Sequence, residues 1–223
     1  MRYVLFVWLF RPPGVYRPQG DTWLLAEALR TVRLGARVLD VGTGTGALAL
    51  TAARSGAGQV IAVDVCAQAV FCARVNAWLR RLPVRVVQSD LVDAVRDEVF
   101  DLILANPPYV CSTATDPARP RGPRHAWDGG AGGRVVLDRL CATAPALLAP
   151  GGTLLIVQSA LSGIDSTVDL LRTAGLRVTV GPRRRQPFGP VMMARARDLE
   201  ERGLICPEQR YEELAVIRAE RQR

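Results

Sequence analysis

Residues 36–50 read ARVLDVGTGTGALAL. A short apolar run is followed by glycine at positions 42, 44 and 46, and then by residues that are typical of a helix. The apolar run has the length of one buried β-strand, and the glycines end it. A glycine-rich turn between a strand and a helix lets a ligand lie directly against the backbone, because no side chain stands in the way. The stretch therefore predicts a strand, a ligand-binding turn and a helix, in that order.

The same alternation of strand and helix continues along the chain. Helices are predicted over 21–32, 47–54, 66–81, 134–148 and 165–174. Seven strands are predicted over 36–42, 59–64, 84–90, 100–106, 152–159, 176–181 and 190–196. Strands that are separated by helices favour a mainly parallel sheet with helices on both faces, so the predicted fold class is α/β.

Length and composition indicate one domain. A chain of 223 residues, of which 49% are hydrophobic, can bury one sizeable core. We divide it into an N-terminal arm or strand (1–15), one α/β domain (16–196) and a C-terminal extension (197–223) in which residues 208–221 have the pattern of an amphipathic helix. The apolar residues 4–10 are too few to span a bilayer, which takes about 20 residues, so no membrane span is expected.

Charge and cysteine content leave the substrate open. The net charge of +8 is compatible with a nucleic-acid partner, but all 29 basic residues are arginine, a bias typical of GC-rich coding sequences. The five cysteines are odd in number and lack C-x-x-C spacing, so we expect reduced thiols in a cytoplasmic protein. His125 has no partner at metal-ligand spacing, so no metal site is predicted.

Acidic residues stand at the ends of three predicted strands. Asp40 precedes the first glycine of the turn, Asp64 ends the second strand, and Asp90 with Leu91 ends the third. Parallel sheets bind ligands at the carboxyl ends of their strands. There Asp64 can accept hydrogen bonds from both hydroxyls of a ribose, and Asp90 can accept one from an adenine amino group whose ring Leu91 covers. Each acid alone could instead cap the helix that follows it.

The fourth predicted strand ends in N-P-P-Y at residues 106–109, where neither proline can donate to a sheet. With the G-x-G-x-G turn and the three acids, this segment resembles the class I S-adenosylmethionine-dependent methyltransferases of the N-P-P-Y subset, which modify exocyclic or amide nitrogens. The resemblance runs over residues 16–196. It implies a single Rossmann-like domain and S-adenosylmethionine as the cofactor.

The N-P-P-Y residues suit the activation of a planar NH2 group. Such a nitrogen is a poor nucleophile, because its lone pair is delocalised. The side-chain oxygen of Asn106 and the carbonyl of Pro107 can each accept one N–H bond and so turn the lone pair toward a methyl donor. The prolines fix the backbone, and Tyr109 can lie flat against the planar group. We therefore predict Asn106, Pro107 and Tyr109 as catalytic and substrate-binding residues.

Two further stretches distinguish between the families that share N-P-P-Y, which include adenine-N6 methyltransferases and HemK-like glutamine methyltransferases. VYRPQGDTWLL (15–25) resembles the V-Y-x-P-x-E-D-T-x-L-L opening of the HemK-like family, and AWDGGAGGRVVLDRL (126–140) resembles its A-W-x-G-G-x-x-G-R-x-V-x-D-R segment. The absence of a long N-terminal helical domain is similar to the short eukaryotic and archaeal branch. The favoured substrate is therefore the Gly-Gly-Gln loop of a translation termination factor, and the resemblance is compatible with a small activator subunit.

The resemblance also implies how the cofactor is held. The residues that would contact it, from its methionine end to its adenine end, are Thr22, Asp40, Gly42, Gly44, Asp64, Asp90 and Leu91. The chain departs from the family at Gly20, where the family opening carries glutamate. Any contact made by that acid is therefore expected to be missing.

Two other functions remain open from the sequence. The first is methylation of an amino group of DNA or RNA, at adenine N6 or guanine N2. The net charge permits it, as does a loop containing Arg119, Arg121 and Arg124, which is either a solvated turn or a binding site for phosphate or protein. The second is a protein that binds the cofactor or a partner without turnover, which the intact acids and N-P-P-Y residues disfavour.

Overall fold

The structure, a computed structural model, describes residues 8–32, 35–112 and 126–223. Within these ranges eight strands occur: β1 (Arg37–Val41), β2 (Gln59–Asp64), β3 (Val84–Gln88), β4 (Phe100–Ala105), β5 (Leu148–Ser159), β6 (Arg177–Val180), β7 (Arg184–Pro187) and β8 (Tyr211–Glu220). Six α-helices accompany them: α1 (Gly20–Leu29), α2 (Ala47–Arg54), α3 (Ala67–Leu79), α4 (Val135–Thr143), α5 (Ile164–Thr173) and α6 (Pro190–Glu201).

The strands form one sheet in the order β3-β2-β1-β4-β5-β8-β6, and the short strand β7 pairs with the first half of β8. Strand β1 is parallel to β2 and β4, and the pairs β2–β3 and β4–β5 are also parallel. Strand β8 is antiparallel to β5, β6 and β7. The α/β class and the mainly parallel sheet are thus confirmed, with eight strands in the described residues instead of seven.

Helices cover both faces of the sheet, as predicted. On one face Leu140 of α4 and Leu171 of α5 join a core cluster with Leu39 of β1. On the other face Leu25 of α1 joins a second cluster with Val38, together with residues of α2 and α3. Val38 and Leu39 are neighbours in β1 and point to opposite faces, so this one strand contributes side chains to both layers of the core.

The direction in which strands are added reverses at β1. Strands β2 and β3 lie on one side of β1, and β4 and β5 lie on the other. The glycine turn after β1 and the N-P-P-Y segment after β4 therefore leave the same edge of the sheet as neighbours. Open α/β sheets bind ligands in the crevice at such a reversal point.

The C-terminal extension is part of the sheet. The helix predicted over 208–221 is wrong, because Tyr211–Glu220 forms β8 between β5 and β6. Residues 214–217 are buried throughout, as a strand covered on both faces requires. The charged residues on either side of this short apolar run give the segment the hydrophobic pattern of an amphipathic helix, which is why the sequence predicted one. A boundary after residue 196 therefore does not separate the extension from the core.

The last predicted strand is a helix. Residues 190–196 fall within α6, so the strand prediction there is wrong. Proline is favoured in the first turn of a helix, where its missing N–H breaks no hydrogen bond. Met192, Ala196 and Leu199 are buried and spaced by four and three residues, which is the period of a helix with one apolar side. The apolar start of this segment hides that period.

The described part of the N-terminal arm, residues 8–15, packs against α3 without pairing as a strand. The N–H of Phe10 donates to Oδ1 of Asn76 at 2.9 Å. The Nδ2 of Asn76 donates to the carbonyl of Phe10 at 2.8 Å and to that of Thr45 at 3.0 Å, which ties the arm to the glycine turn. Within 8–32, 35–112 and 126–223, no helix is both long and apolar enough to cross a membrane.

Candidate active site

The turn between β1 and α2 offers open backbone. Gly42, Gly44 and Gly46 have φ values of +70°, +55° and +84°, a left-handed conformation that glycine adopts without a steric cost. A Cβ atom at position 44 would have no neighbour within 4 Å. The N–H groups of Gly42 and Thr43 donate to the carbonyl of Val63. The turn is therefore fixed by β2 and leaves space for a ligand beside Gly44.

Asp40 supports this turn from within the protein. Its Oδ2 accepts hydrogen bonds from the Thr43 hydroxyl at 2.6 Å and from the Ala49 N–H at 3.0 Å. The carboxyl group is fully buried, and its Oδ1 has no hydrogen-bond partner among the described residues. Burial raises the pKa of Asp40 to about 6, although both hydrogen bonds act to lower it. A buried carboxyl oxygen of this kind is costly unless a ligand supplies a donor.

Asp64 joins the glycine turn to the start of α3. Its Oδ2 accepts a hydrogen bond from the Gly44 N–H and its Oδ1 accepts one from the Cys66 N–H, both at 2.9 Å. Cys66 is the N-cap residue of α3, so Asp64 holds the segment before the helix and does not cap the helix itself. The Asp64 carboxylate thus lies beside the open backbone of Gly44, where the sequence predicts a contact with the ribose hydroxyls.

Asp90 and Leu91 lie after β3, at the same edge of the sheet. Asp90 is exposed, and its Oδ2 forms an ion pair with Nη2 of Arg139 in α4 at 2.9 Å, a contact that the sequence did not predict. Leu91 has a φ of +49°, and a left-handed conformation costs a residue other than glycine about 1 to 2 kcal/mol. Such backbone strain clusters at ligand-binding sites.

Asn106 follows β4 with its side-chain amide in a defined orientation. Its Nδ2 donates to Oγ1 of Thr22 at 3.2 Å. The Thr22 hydroxyl donates its own hydrogen to Oδ1 of Asp21 at 3.2 Å, so its oxygen accepts the bond from Asn106. The Oδ1 of Asn106 is consequently the end that remains as an acceptor, as the predicted contact with a substrate N–H requires.

Asp21 is the residue of this site that the sequence did not identify. The helix predicted over 21–32 starts with this residue, but α1 begins at Gly20 and the Asp21 side chain, only 2% exposed, accepts bonds from other residues. Its Oδ2 accepts from the hydroxyls of Tyr16 at 2.7 Å and Tyr109 at 3.2 Å, and its Oδ1 accepts from the Thr22 N–H at 2.6 Å. In the sequence, the role of Asp21 was indicated only by its match to the aspartate of the V-Y-x-P-x-E-D-T-x-L-L segment of the HemK-like family.

The glycine-rich segment after Trp127 supports Tyr109. A Cβ atom at Gly129 would lie 2.8 Å from Cα of Tyr109, and one at Gly133 would lie 2.2 Å from its carbonyl oxygen, so neither position has room for a side chain. That carbonyl also accepts a hydrogen bond from the Ser162 hydroxyl at 2.9 Å. This packing explains why a segment distant in sequence accompanies N-P-P-Y. Burial raises the pKa of Tyr109 well above its ordinary value, so its hydroxyl stays protonated.

The space beside Gly20 is filled by another part of the chain. A Cβ atom at position 20 would lie 2.0 Å from Oε1 of Gln186 in β7. The Nε2 of Gln186 donates to Oε1 of Glu212 in β8 at 3.1 Å, and Glu212 is only 4% exposed. Burial raises the pKa of Glu212. A carboxyl group is therefore present in this region although position 20 carries none.

The loop that follows the N-P-P-Y segment begins beneath α6. Val110 and Cys111 pack with Met192 of α6 in a small apolar cluster. The Nη1 of Arg195, also in α6, donates to the Cys111 carbonyl at 3.0 Å. Helix α6 therefore holds the start of the predicted arginine-rich loop. Four residues named in the sequence analysis lie outside the described ranges: Arg119, Arg121, Arg124 and His125.

Residues 8–119, which include the glycine turn, the strand-end acids and the N-P-P-Y segment, match the methyltransferase small domain family. The chain belongs to this family. The predicted methyltransferase class is thereby confirmed.

Relatives of this methyltransferase extend the match beyond residue 119. A protein of Methanocaldococcus jannaschii, provisionally named a protein N5-glutamine methyltransferase, is 36% identical over 184 residues, which are 82% of this chain and 92% of the relative. The release factor glutamine methyltransferase of Deinococcus radiodurans is 39% identical over 174 residues, which are 75% of this chain but 62% of the relative. The resemblance to the HemK-like glutamine methyltransferases is confirmed.

A solved structure shares the fold of this methyltransferase. The E. cuniculi Mtq2–Trm112 complex, which is responsible for methylation of the translation termination factor eRF1, superposes with a TM-score of 0.65 and 23% identity. The match covers 94% of this chain and 99% of the other. At this identity the comparison concerns the fold alone, and it confirms the predicted Rossmann-like methyltransferase domain.

Proposed function

We propose that this methyltransferase uses S-adenosylmethionine to methylate the side-chain amide of a glutamine in the Gly-Gly-Gln loop of a translation termination factor. The observation that carries the proposal is the orientation of Asn106, whose Nδ2 donates to Thr22 and whose Oδ1 remains an acceptor. The names of the two relatives support glutamine as the target, and the eRF1 substrate of the Mtq2–Trm112 complex supports a termination factor.

The edge of the sheet suits S-adenosylmethionine. The buried Oδ1 of Asp40 needs a donor, which the ammonium group of the cofactor can supply, and the backbone at Gly44 is open. Asp64 accepts from ribose in this proposal, and Asp90 with Leu91 takes the adenine. When bound, the cofactor supplies a methyl group attached to positively charged sulfur.

The chain contributes orientation more than acid–base chemistry. Oδ1 of Asn106 and the carbonyl of Pro107 each accept one N–H of the substrate amide, which sets the plane of the NH2 group and the direction of its lone pair. Tyr109 packs against the planar amide and selects for it. No strong base is needed, because the nitrogen becomes acidic once it carries the added methyl group.

The pairing of arginines favours a protein substrate over a nucleic acid. Several arginines of the described surface form ion pairs with carboxylates: Arg37 and Arg85 with Glu98, Arg139 with Asp90, Arg177 with Glu220, Arg184 with Glu27, and Arg210 with Glu200. These pairs neutralise positive charge that a phosphate backbone would otherwise bind. The experiment must still distinguish a protein substrate from DNA or RNA, which is the alternative substrate class.

Incubation with labelled S-adenosylmethionine separates the two substrates. The enzyme is given, in separate reactions, a recombinant termination factor, the same factor with its Gly-Gly-Gln glutamine changed to glutamate, tRNA, rRNA and DNA. We expect label in the unmodified factor and none in the glutamate form, which lacks the NH2 group. Label in nucleic acid alone would overturn the proposal.

We also infer a small partner subunit that binds at α3. Phe71 and Trp78 are 58% and 77% exposed and lie seven residues apart, on one side of the helix. The ring of Phe71 lies edge-on to that of Phe10 in the arm, with 6.1 Å between the ring centroids. Strand β3, which lies beside α3, is an outer strand of the described sheet. The partner of Mtq2 supports the inference.

Binding of a recombinant Trm112-type subunit, measured by light scattering, tests the inferred partner. Phe71→Asp and Trp78→Asp should each abolish the complex without changing cofactor affinity. Leu170→Asp is the matched control, since Leu170 is 41% exposed on α5, across the sheet from α3. If all three variants bind the subunit equally well, the partner does not use α3.

A cytoplasmic location accords with the proposed substrate. All five cysteines are free thiols, and Cys72, Cys111 and Cys141 are buried. Free thiols are typical of reducing compartments, where termination factors also act. Cell fractionation with an antibody against the chain would test the location.

A further inference from the structure

The carboxylate of Asp21 connects the two side chains that the proposed function assigns to the substrate amide. It is buried at the start of α1 and accepts hydrogen bonds through both oxygens. Through Oδ1 it reaches Thr22 and from there Asn106, and through Oδ2 it reaches Tyr109. Asn106 and Tyr109 are thus joined by one chain of hydrogen bonds that runs through Thr22 and Asp21.

The first connection determines which end of Asn106 faces the substrate. The oxygen and nitrogen of a side-chain amide are nearly equal in size, so hydrogen-bond partners decide its orientation. A threonine hydroxyl can donate or accept, and here its single hydrogen is directed to Asp21. Thr22 can then offer Asn106 only a lone pair, which Nδ2 satisfies. If the hydroxyl donated to Asn106 instead, Oδ1 would turn toward Thr22 and an NH2 group would meet the substrate NH2.

The second connection holds the ring of Tyr109. Its hydroxyl donates to Oδ2 of Asp21 at 3.2 Å, while Gly129 and Gly133 fix its backbone. Burial raises the pKa of this tyrosine, and the negative charge of Asp21 raises it further, so the hydroxyl keeps the hydrogen that it donates. The ring is thus held at its backbone and at its tip.

We propose that Asp21 is a positioning residue for methyl transfer. It fixes the direction of the Thr22 hydroxyl so that Asn106 presents its oxygen, and it holds the tip of Tyr109 so that the ring can pack on the amide. The inference rests on the proposed methylation of an amide NH2 group. A purely structural Asp21 would affect stability without affecting the orientation of Asn106 or the rate of a folded enzyme.

Three substitutions separate positioning from stability. Thr22→Val keeps the shape of the side chain but removes the hydroxyl, so Asn106 loses the partner that orients it. We expect its single-turnover rate to fall about tenfold to a hundredfold. Thr22→Ser restores the hydroxyl and should stay within about threefold of the unmodified enzyme. Asp21→Asn has one acceptor oxygen in place of two, so it cannot serve Thr22 and Tyr109 together, and should lose rate to a similar degree as Thr22→Val.

Tyr16→Phe is the matched control. It removes a hydrogen bond to the same Oδ2 of Asp21, yet Tyr16 bonds neither Asn106 nor Tyr109 in the described structure. Its rate should stay within about threefold of the unmodified enzyme. Because Thr22 is also expected near the cofactor, affinity for S-adenosylhomocysteine is measured by calorimetry and all rates are taken at saturating cofactor. A lowered melting temperature with unchanged rates in Thr22→Val and Asp21→Asn would overturn the inference.

A measurement without substrate keeps this inference distinct from the proposed function. In NMR spectra, the side-chain NH2 protons of Asn106 should exchange slowly with water in the unmodified enzyme, because one of them bonds Thr22. They should exchange faster in Thr22→Val and Asp21→Asn, and as slowly as before in Tyr16→Phe. Unchanged exchange in all variants overturns the positioning role. Failure of the unmodified enzyme to label any termination factor overturns the proposed substrate, while the exchange rates still decide the role of Asp21.

Discussion

In the proposed mechanism, replacing Asn106 with alanine removes one of the two acceptors that orient the substrate NH2 group. The Nδ2 of Asn106 is held by Thr22, so Oδ1 is presented without a further ordering cost when the substrate binds. An acceptor that acts mainly on the transition state contributes about 3 kcal/mol, which is on the order of a hundredfold in rate. We therefore expect single-turnover methylation to fall about a hundredfold in Asn106→Ala, with much less change in cofactor affinity.

Asn106→Asp is the finer test, because it keeps an acceptor at the same place. The aspartate cannot donate to Thr22, so its carboxylate competes with Asp21 for the threonine hydroxyl. Its negative charge also attracts the positively charged sulfur of the cofactor, which can tighten binding of the ground state. Turnover should still fall, because stabilising the ground state does not lower the barrier.

The assay is single-turnover methylation of a termination factor, with cofactor affinity measured by calorimetry and folding checked by thermal unfolding. The comparison uses the unmodified enzyme, Asn106→Ala and Asn106→Asp at saturating cofactor. Near-normal rates in both folded variants would refute the reasoning and would leave Asn106 as a residue that only terminates β4.

Three further predictions concern the cofactor site and the support of Tyr109. Asp64→Ala should weaken S-adenosylhomocysteine binding about ten to a hundredfold, through loss of charge-assisted bonds to ribose, as measured by calorimetry; unchanged affinity in a folded variant would leave Asp64 as a residue that only supports the glycine turn. Because the pKa of Asp40 is raised to about 6, its ionised fraction falls from about nine tenths at pH 7 to about one tenth at pH 5. Affinity for the same ligand should therefore weaken about tenfold over that interval, and Asp40→Asn should show no such dependence. Gly133→Ala should lower the free energy of unfolding by about 1 to 3 kcal/mol more than Gly132→Ala does, measured by urea titration. Both glycines have positive φ, but only at 133 would a Cβ atom meet the Tyr109 carbonyl, so equal losses would contradict the packing argument.

The fold is predictable from the sequence where local pattern determines structure. Helix α2 occurs at the predicted residues 47–54, because a glycine turn and an apolar strand mark its start. A polar residue or glycine stands at or directly after the end of each of β1 to β4, namely Gly42, Asp64, Ser89 and Asn106. These residues meet at one edge because the strands are parallel. Residues 190–196 were predicted as a strand but form a helix, and residues 208–221 were predicted as a helix but contain a strand. A short apolar run fits the helical and the strand period equally well, so the sequence alone does not distinguish them.

The parts of the site that the sequence could not predict depend on residues far apart in the chain. Asp21 looks like a helix cap in its local context, and only the fold brings Tyr109 to it. The same is true of Gly20, Gln186 and Glu212, which meet through three separate elements. No pattern within a window of ten or twenty residues encodes such contacts, because they depend on how the sheet is ordered.

Strand β8 is synthesised after every strand with which it pairs. Until residues 211–220 are available, β5 lacks its antiparallel neighbour, and β6 and β7 cannot join the sheet, since β8 stands between them and β5. Pairing between such distant segments slows folding and leaves the apolar residues 154–157 at an open edge of the nascent chain. The half of the sheet made of β1 to β4, which carries the glycine turn, can assemble during synthesis, whereas the half that carries Gln186, Glu212 and α6 must wait for β8. On the ribosome, the framework around the glycine turn and the N-P-P-Y segment can therefore form before the part of the sheet that β8 completes.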